Sequence, residues 1–171
     1  DLGCGTGFFL QKLQPLSEQV IALDLSLGML MAATQKVSSA SFICGDAEQL
    51  PLSDSAFDLV FSSLALQWCA SLPLALGEIY RVLRPGGRVA FATLSAGSLP
   101  ELRRAWQQVD DLDHVNPFIG EEALQSLCLQ QEFRLEQWFC RRHPQAQRTS
   151  LLLRATRALC LLYRASRRCG A

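Results

Sequence analysis

The sequence predicts an α/β protein with a mostly parallel central sheet flanked by helices. Short apolar runs alternate with helical patterns of ten or more residues, which is the order of βαβ units. The runs are apolar throughout, as expected of parallel strands that are covered on both faces. A glycine-rich turn, Gly3-x-Gly5-x-Gly7, stands between the first strand and the first helix. The chain has 171 residues, about one domain at the usual ~150 residues per domain.

The predicted elements follow in chain order from the glycine turn. Apolar residues at helical spacing predict a helix over residues 8–16, and the apolar run at 20–24 predicts a buried strand that ends at Asp24. Ser26 is a residue type that favours helix N-caps, so it predicts the start of the next helix. The remaining predicted strands are 41–44, 57–61, 89–92 and 133–139, and the remaining predicted helices are 72–83, 99–109 and 121–129, with a turn at 84–87.

The first strand of the predicted sheet is short in this chain. Only Asp1 and Leu2 precede the glycine turn, and such a turn needs a strand that leads into it. The fold is therefore predicted to be incomplete, and we expect the natural protein to extend further towards the N-terminus. The same observation supports an alternative: a chain that lacks most of a central strand leaves backbone groups unpaired, so it would be inactive and act at most as a binding module.

Composition argues against several classes of protein. Hydrophobic residues make up 49% of the chain, which allows a packed core and argues against disorder along the whole chain. No stretch of about 18 uncharged apolar residues occurs, so no membrane-spanning helix is expected. The seven Cys are irregularly spaced without a Cys-x-x-Cys pair, and there are only two His, so we expect no metal site and reduced thiols in a cytoplasmic protein.

The charge of the chain is divided at residue 140. Residues 1–140 hold all 16 acidic residues and 8 basic ones, a net charge of −8, whereas residues 141–171 hold 8 Arg and no acid, a net charge of +8. We therefore expect a domain over residues 1–140 and a basic Arg/Leu/Cys-rich tail over 141–171, which is either aberrant or a basic amphipathic helix that binds a membrane or a partner. The acidic domain disfavours nucleic-acid binding.

The glycine turn and the acids that follow the strands indicate a nucleoside site. Glycines allow close approach of a ligand to the backbone, and Asp24 stands where an acid can accept both hydroxyls of a ribose. Phe8 occupies the position where a dinucleotide fingerprint has its third Gly, so a nicotinamide enzyme is a distant alternative. The spacing favours a nucleoside without phosphate, such as S-adenosylmethionine. Alternatively, the glycines form only a tight turn, Asp24 caps the next helix, and Asp46 simply ends a strand.

Several strings resemble the class I S-adenosylmethionine-dependent methyltransferases. The first motif of that family is matched by DLGCGTG at residues 1–7, and its small-molecule branch by GDAEQLPL, FDLV and LRPGG. A narrower resemblance, to the malonyl-acyl-carrier-protein O-methyltransferases of biotin synthesis, rests on FSSLALQWCASLPLALGEIYRVLRPGG and ELRRAWQQVDDLDHVNPF. The resemblance implies a Rossmann-like fold with a seven-stranded sheet whose last strand is antiparallel. It stops near residue 140.

The resemblance also implies which residues bind S-adenosylmethionine, the methyl donor. The glycine turn would contact the methionine part of the cofactor, with Asp1 near its amino group, and Asp24 would hold the ribose hydroxyls. Other positions would flank the adenine, read its edge, or lie beside the sulfonium. The implied cofactor residues are Asp1, Gly3, Gly5, Gly7, Asp24, Leu25, Met29, Asp46, Ala47, Ser62, Ser63 and Leu64.

The implied reaction transfers a methyl group to the free carboxylate of malonyl-acyl-carrier protein. That carboxylate is already ionised at neutral pH, so no general base is required. The substrate carboxylate still has to be bound, and a bidentate Arg suits it. We expect Arg103 in this role, with His114 as a second candidate. The alternative for both Arg103 and Arg104 is a solvated helix face, and for Arg104 this alternative carries at least equal weight. The alternative acceptor is another small molecule, such as a quinone precursor.

Overall fold

The computed structural model describes residues 1–142 and 157–165. Its strands are β1 (Ile21–Asp24), β2 (Ser41–Cys44), β3 (Phe57–Ser63), β4 (Leu83–Leu94), β5 (Phe133–Arg142) and β6 (Arg157–Ala165). Its α-helices are α1 (Leu10–Leu13), α2 (Leu27–Thr34), α3 (Leu72–Val82), α4 (Pro100–Trp106) and α5 (Glu121–Gln130), with short 3-10 helices at Gln14–Leu16 and Leu66–Trp68.

The strands form two hydrogen-bonded groups. β1 and β2 are parallel, and the second group has the order β3-β4-β6-β5 with β3 and β4 parallel. β6 is antiparallel to both of its neighbours, so β4 and β5 run in the same direction on either side of it. The sheet is therefore mostly parallel, with one antiparallel strand inserted near its edge.

The first three residues connect the two groups of strands. Leu2 forms a parallel bridge with Leu23 of β1, and Gly3 N donates to Leu23 O at 2.7 Å. On the other side, Leu2 N donates to Phe61 O of β3 at 2.7 Å. The segment therefore lies between β1 and β3 and joins them. Its predicted position at the centre of the sheet is confirmed.

Helices cover both faces of the sheet around two apolar clusters. Neighbouring residues of a strand point to opposite faces, so Leu23 packs with one cluster and Ala22 with the other. The larger cluster holds the buried faces of α3 and α5, and Leu76 and Leu124 are completely buried in it. The smaller cluster contains residues of α1 and α2 on the other face. The packing of helices on both faces of the sheet fixes the positions of the carboxyl ends of the strands.

Most predicted elements are confirmed, with small shifts of their ends. Ser26 is the N-cap of α2, as predicted, and its hydroxyl accepts from Met29 N at 3.4 Å. The predicted turn at 84–87 is instead part of β4, where the register with β3 shifts between Phe57 and Leu59 to accommodate the extra residues. Gly86 takes a φ of +78° in this irregular stretch, so the chain turns locally without leaving the strand.

For the basic tail the sequence left two alternatives, an aberrant segment or a basic amphipathic helix. The prediction of a helix is wrong for residues 157–165. These residues form β6, which pairs with β4 from Arg88↔Arg164 to Leu94↔Ala158. The predicted boundary at residue 140 falls inside β5. The other tail residues lie outside the described part of the chain. Within the described part, no helix has the length and apolar character needed to cross a membrane.

Candidate functional site

The glycine turn forms one wall of the candidate site. Gly3, Gly5 and Gly7 all have positive φ values, of 69°, 54° and 78°. A Cβ on Gly3 would lie 2.2 Å from the Cβ of Ala65, so the end of β3 packs directly against the turn. A Cβ on Gly5 would meet nothing within 4 Å. The turn is therefore closed at Gly3 and open at Gly5, where a ligand can reach bare backbone.

Asp24 connects the glycine turn to the start of α2. Its Oδ2 accepts from Gly5 N at 2.8 Å, and its Oδ1 accepts from Ser26 N at 2.8 Å. Each carboxylate oxygen has further lone pairs, so the side chain can still accept from a ligand. The suggestion that Asp24 only caps the next helix is incomplete, because Ser26 is the N-cap and Asp24 also holds the turn.

Exposed apolar side chains border Asp24. Leu25 is 71% exposed and Met29 is 45% exposed, at the entrance to α2 and in its first turn. Phe8, at the other end of the glycine turn, is 67% exposed. Large apolar side chains that lie together on a surface mark binding positions for apolar ligands or partners. The predicted adenine-flanking residues are therefore accessible rather than part of the core.

The loop after β2 carries Asp46 and Ala47. Gly45 N donates to Asp24 O at 3.1 Å, so this loop starts beside the Asp24 position. Asp46 is exposed, and its Oδ1 accepts from Glu48 N at 2.9 Å. A carboxylate has further lone pairs, so Asp46 can still accept from a ligand. Ala47 is half-buried and packs against the larger core cluster.

Glu48 is a positioning residue that the sequence analysis missed. Its Oε1 accepts from Ala70 N at 2.6 Å and from Ser71 N at 3.1 Å, just before α3. Backbone N–H groups at a helix start favour such a carboxylate. The contact joins the Asp46 loop to α3 across 22 residues of sequence, and no local pattern could have predicted it.

Two buried oxygen atoms near the centre of the sheet lack partners among the described residues: Asp1 Oδ2 and Ser62 Oγ. Asp1 lies beside β1, since Leu23 N donates to Asp1 O at 2.9 Å. Ser62 lies in β3 and is completely buried. Buried polar groups nearly always have hydrogen-bond partners, so unpaired ones at the ends of adjacent strands point to a ligand that supplies them.

The end of β3 bends sharply at Leu64. This residue has a φ of +55°, unusual for a side chain other than Gly, and it is 45% exposed. Its N donates to Ala92 O of β4 at 2.8 Å, and its O accepts from Gln67 Nε2 at 2.8 Å. Ser63 is half-buried beside it. The structure thus brings Ser63 and Leu64 to the same edge of the sheet as the glycine turn.

The predicted substrate residues lie in a separate part of this edge. A cleft of about 380 Å³ opens after β4 and is lined by residues of 96–98, one face of α4, and Pro117 and Phe118. Arg103 lines this cleft, but its Nη1 also contacts Asp113 Oδ1 at 2.8 Å. His114 does not line the cleft: its Nε2 contacts Asp110 Oδ1 at 2.8 Å, and its ring stacks on Trp106. Arg104 lines the cleft together with Arg103.

Two groups near the site, the Cys4 thiol and the Asp110 carboxyl, have shifted pKa values with structural causes. Burial, with the charge of Asp24, raises the pKa of the Cys4 thiol to about 11, so it is no reactive thiolate at neutral pH. The hydrogen bond from Leu112 N, followed by that from His114, holds the pKa of Asp110 below its ordinary value. Within the described residues, no three His, Cys, Asp or Glu side chains are placed to hold a metal ion.

A model of the methyltransferase domain family matches residues 1–91, which is more than half of the chain and includes the glycine turn, Asp24, Asp46 and the end of β3. The chain belongs to this methyltransferase family. The glycine turn, Asp24 and Asp46, which led to the resemblance in the sequence, all lie within the matched residues.

Individual relatives extend the similarity beyond residue 91. The chain is 51% identical over 128 residues to a malonyl-[acyl-carrier protein] O-methyltransferase of Serratia marcescens, covering 75% of this chain and 50% of the relative. It is 51% identical over 126 residues to the biotin biosynthesis bifunctional protein BioHC of Cellvibrio japonicus, covering 73% of this chain and 25% of that protein. The chain thus spans about half the length of the first relative and a quarter of the second.

Solved structures share the fold. An S-adenosylmethionine-dependent methyltransferase from Mesorhizobium loti superimposes with a TM-score of 0.74 at 22% identity, covering 96% of this chain and 89% of the other. At this identity the likeness concerns the fold alone. It confirms the predicted Rossmann-like class I methyltransferase fold.

Proposed function

We propose that the chain transfers a methyl group from S-adenosylmethionine to the free carboxylate of malonyl-acyl-carrier protein, which gives the methyl ester used in biotin synthesis. The observation that carries this proposal is the 51% identity over 128 residues to a malonyl-[acyl-carrier protein] O-methyltransferase. Any stretch of 128 residues in a chain of 171 contains residues 44–128, so the similarity includes the cleft as well as Asp46 and the end of β3.

The residues at the strand ends suit S-adenosylmethionine. The unpaired Asp1 Oδ2 would accept from the ammonium group, and the open face of Gly5 would admit the methionine chain. Asp24 keeps lone pairs for the ribose hydroxyls, and the exposed Leu25 and Met29 would flank the adenine. Asp46 and Ala47 would read the adenine edge, and Gly3 and Gly7 would border the methionine part with Gly5. Ser62, Ser63 and Leu64 would lie beside the sulfonium, where the unpaired Ser62 Oγ would face the cofactor.

The chemistry needs alignment more than acid–base groups. When bound, the cofactor supplies an electrophilic methyl group on its sulfonium. The malonyl carboxylate is ionised at neutral pH and is itself the nucleophile. The chain would contribute by holding this carboxylate in the cleft with Arg103 or Arg104 and by excluding water. The predicted His114 would act only indirectly, because it is engaged with Asp110 and Trp106. Orientation alone can provide about 7–11 kcal/mol.

The proposal also covers the extent of the domain, its location in the cell and its partner. We propose that residues 1–142 form the methyltransferase domain and that β6 completes its sheet, because β6 lies between β4 and β5. Cytoplasmic location is supported by the free thiols of Cys4, Cys44 and Cys69. The partner would be the acyl carrier protein, with no nucleic acid and no membrane involved.

Calorimetric titration with S-adenosylhomocysteine tests the cofactor, with circular dichroism recorded on the same sample. We expect saturable binding to a folded chain. A folded chain without binding would contradict the cofactor assignment, and an unfolded chain would favour the inactive alternative.

A second experiment tests the acceptor by supplying malonyl-acyl-carrier protein and a quinone precursor as separate substrates. The proposal expects transfer to the first and none to the second. Methylation of the quinone precursor alone would overturn the choice of acceptor and leave the cofactor assignment standing.

A further inference from the structure

The cleft after β4 is lined along one side by a single face of α4. Pro100, Arg103, Arg104 and Gln107 all line it, and their spacing of three and four residues is that of one helix face. The opposite side comes from residues 96–98 and from Pro117 and Phe118. Ala96 N donates to Ile119 O at 2.9 Å, which holds these two stretches together. The lining contains two cations and no acid.

The two arginines of the cleft differ in what they already contact. Arg103 Nη1 lies 2.8 Å from Asp113 Oδ1, so its charge is compensated by an acid ten residues along the chain. Arg104 is exposed, and among the described residues it forms no ion pair with an acid. Arg104 is therefore the cation that the cleft can offer to a ligand.

The segment that follows α4 is held in place by three contacts, two of which reach the helix. Besides the Arg103–Asp113 pair, His114 Nε2 lies 2.8 and 3.0 Å from the two oxygens of Asp110. The His114 ring stacks on Trp106 with 4.0 Å between ring centroids. These contacts explain why Arg103 and His114 are engaged within the protein. They set the position of the segment that leads to Pro117 and Phe118 on the far wall.

We propose that Arg104 binds the free carboxylate of the malonyl acceptor and that Arg103 is a positioning residue acting through Asp113; this rests on the proposed function. A guanidinium binds a carboxylate through two parallel N–H···O bonds, and each oxygen keeps a lone pair for attack on the methyl group. Methylation forms a bond between a carboxylate oxygen and the methyl carbon and breaks the sulfur–carbon bond. The product ester is neutral, so Arg104 holds it less strongly than the substrate.

Four variants separate the two arginines. Arg104→Gln removes the proposed contact, Arg104→Lys keeps the charge but not the planar fork, and Arg103→Gln removes the pair with Asp113. The matched control is Arg134→Gln, an exposed arginine on β5. Arg134 is the second residue of β5, which runs in the same direction as β4, so it lies at the amino ends of these strands, whereas the cleft lies beyond the carboxyl end of β4.

Two measurements are made on each variant of the full chain. The first is the KM and kcat for malonyl-acyl-carrier protein, beside the Kd for S-adenosylhomocysteine. The second is binding of the malonyl and the acetyl forms of the carrier protein in the presence of S-adenosylhomocysteine. Since the two forms differ in the free carboxylate, their affinity ratio reports recognition of that group and does not follow a general loss of stability.

Arg104→Gln is expected to raise KM about tenfold or more and to abolish the preference for the malonyl form, while the Kd for S-adenosylhomocysteine stays within about twofold. Arg104→Lys should recover part of the preference, and Arg134→Gln should match the unchanged chain. If Arg104→Gln keeps the preference and Arg103→Gln loses it, the carboxylate belongs to Arg103 and the inference is wrong. If the unchanged chain binds S-adenosylhomocysteine but methylates no malonyl carrier, the proposed function fails as well.

Discussion

At the scale of single residues, the glycine turn combines two different requirements. Gly3 is needed for space as well as for its positive φ, because a Cβ there would lie 2.2 Å from the Cβ of Ala65. Gly5 is needed for its φ, and the space beside it is open. One position is therefore fixed by packing against the end of β3, and the other by the ligand and the backbone conformation.

Gly3→Ala should therefore destabilise the chain much more than Gly5→Ala. We expect a loss of about 2–5 kcal/mol for Gly3→Ala, combining left-handed backbone strain with overpacking, and about 1–2 kcal/mol for Gly5→Ala from strain alone. Urea unfolding followed by circular dichroism measures both. The double variant Gly3→Ala with Ala65→Gly should recover the overpacking part, and no recovery would contradict the contact between the turn and β3.

Asp24→Ala should weaken the binding of S-adenosylhomocysteine. The loss of charge-assisted hydrogen bonds predicts about 1.5–3 kcal/mol, or roughly 10- to 150-fold in Kd by calorimetry. The thermal midpoint should also fall, because Gly5 N and Ser26 N lose their acceptor. Glu18→Gln is the control, since Glu18 is exposed in the loop before β1 and is not among the proposed cofactor residues. An unchanged Kd in a folded Asp24→Ala chain would show that the ribose site lies elsewhere.

The placement of single residues could be predicted where a local pattern carries the information. The Gly3-x-Gly5-x-Gly7 spacing and an acid after the next strand define the turn and Asp24 from sequence alone. The pairing of Arg103 with Asp113 and of Glu48 with Ala70 joins residues 10 and 22 positions apart. Such contacts depend on how a loop returns to a helix, so the choice between Arg103 and Arg104 needed the structure.

At the scale of elements, α3 is joined to the loop after β2 by a charged network. Arg81 Nε lies 2.7 Å from Glu78 Oε1, and its Nη1 lies 2.6 Å from Asp54 Oδ1. The same guanidinium donates to Leu50 O and Leu52 O, at 3.0 and 2.8 Å. Arg81 therefore attaches the outer face of α3 to residues 50–54, beneath the loop that carries Asp46.

The network predicts a specific loss of stability in acid. The hydrogen bond from Arg81 holds the pKa of Glu78 below its ordinary value of 4.5, so the folded chain binds the Glu78 proton less readily than the unfolded chain. This contribution to the free energy of unfolding is complete above pH 4.5 and is lost as the pH falls below it. Glu78→Gln should lower the stability at pH 7 and flatten its decline in acid, as urea unfolding at pH 7 and pH 4 would show.

Glu18→Gln provides the comparison for Glu78→Gln. Glu18 is exposed in the loop before β1, and its substitution should leave the stability at both pH values nearly unchanged. If Glu78→Gln behaves like Glu18→Gln, the ion pair with Arg81 contributes nothing measurable to folding.

Elements were predictable from sequence wherever a strand or helix carries its own signal. The strand Ser41–Cys44 and the helix capped by Ser26 follow from an apolar run and a capping residue. The strand Arg157–Ala165 was missed because its apolar run lies between two Arg that are seven positions apart, a spacing that also fits one face of a basic helix. Its pairing with β4, more than 60 residues earlier, overrides that local preference.

At the scale of the whole molecule, β6 unites the acidic and the basic parts of the chain. The strand comes from the segment that carries a net charge of +8. It is inserted between β4, which lies in the segment that carries −8, and β5, which crosses the division at residue 140. A strand with neighbours on both sides donates every backbone N–H to one of them. Without β6, both β4 and β5 would present unpaired edges to solvent.

Leu161→Pro tests whether β6 holds the sheet together. Leu161 is opposite Phe91 of β4 and Trp138 of β5, and proline at a central strand position removes a ladder hydrogen bond and disrupts its neighbours. We expect hydrogen exchange of the amides at 88–94 to become faster, while those of β1 at 21–24 stay protected, since β1 lies in the other group of strands. Unchanged protection at 88–94 would mean that β4 does not depend on residues 157–165. The charge division at residue 140 would then mark a true domain boundary.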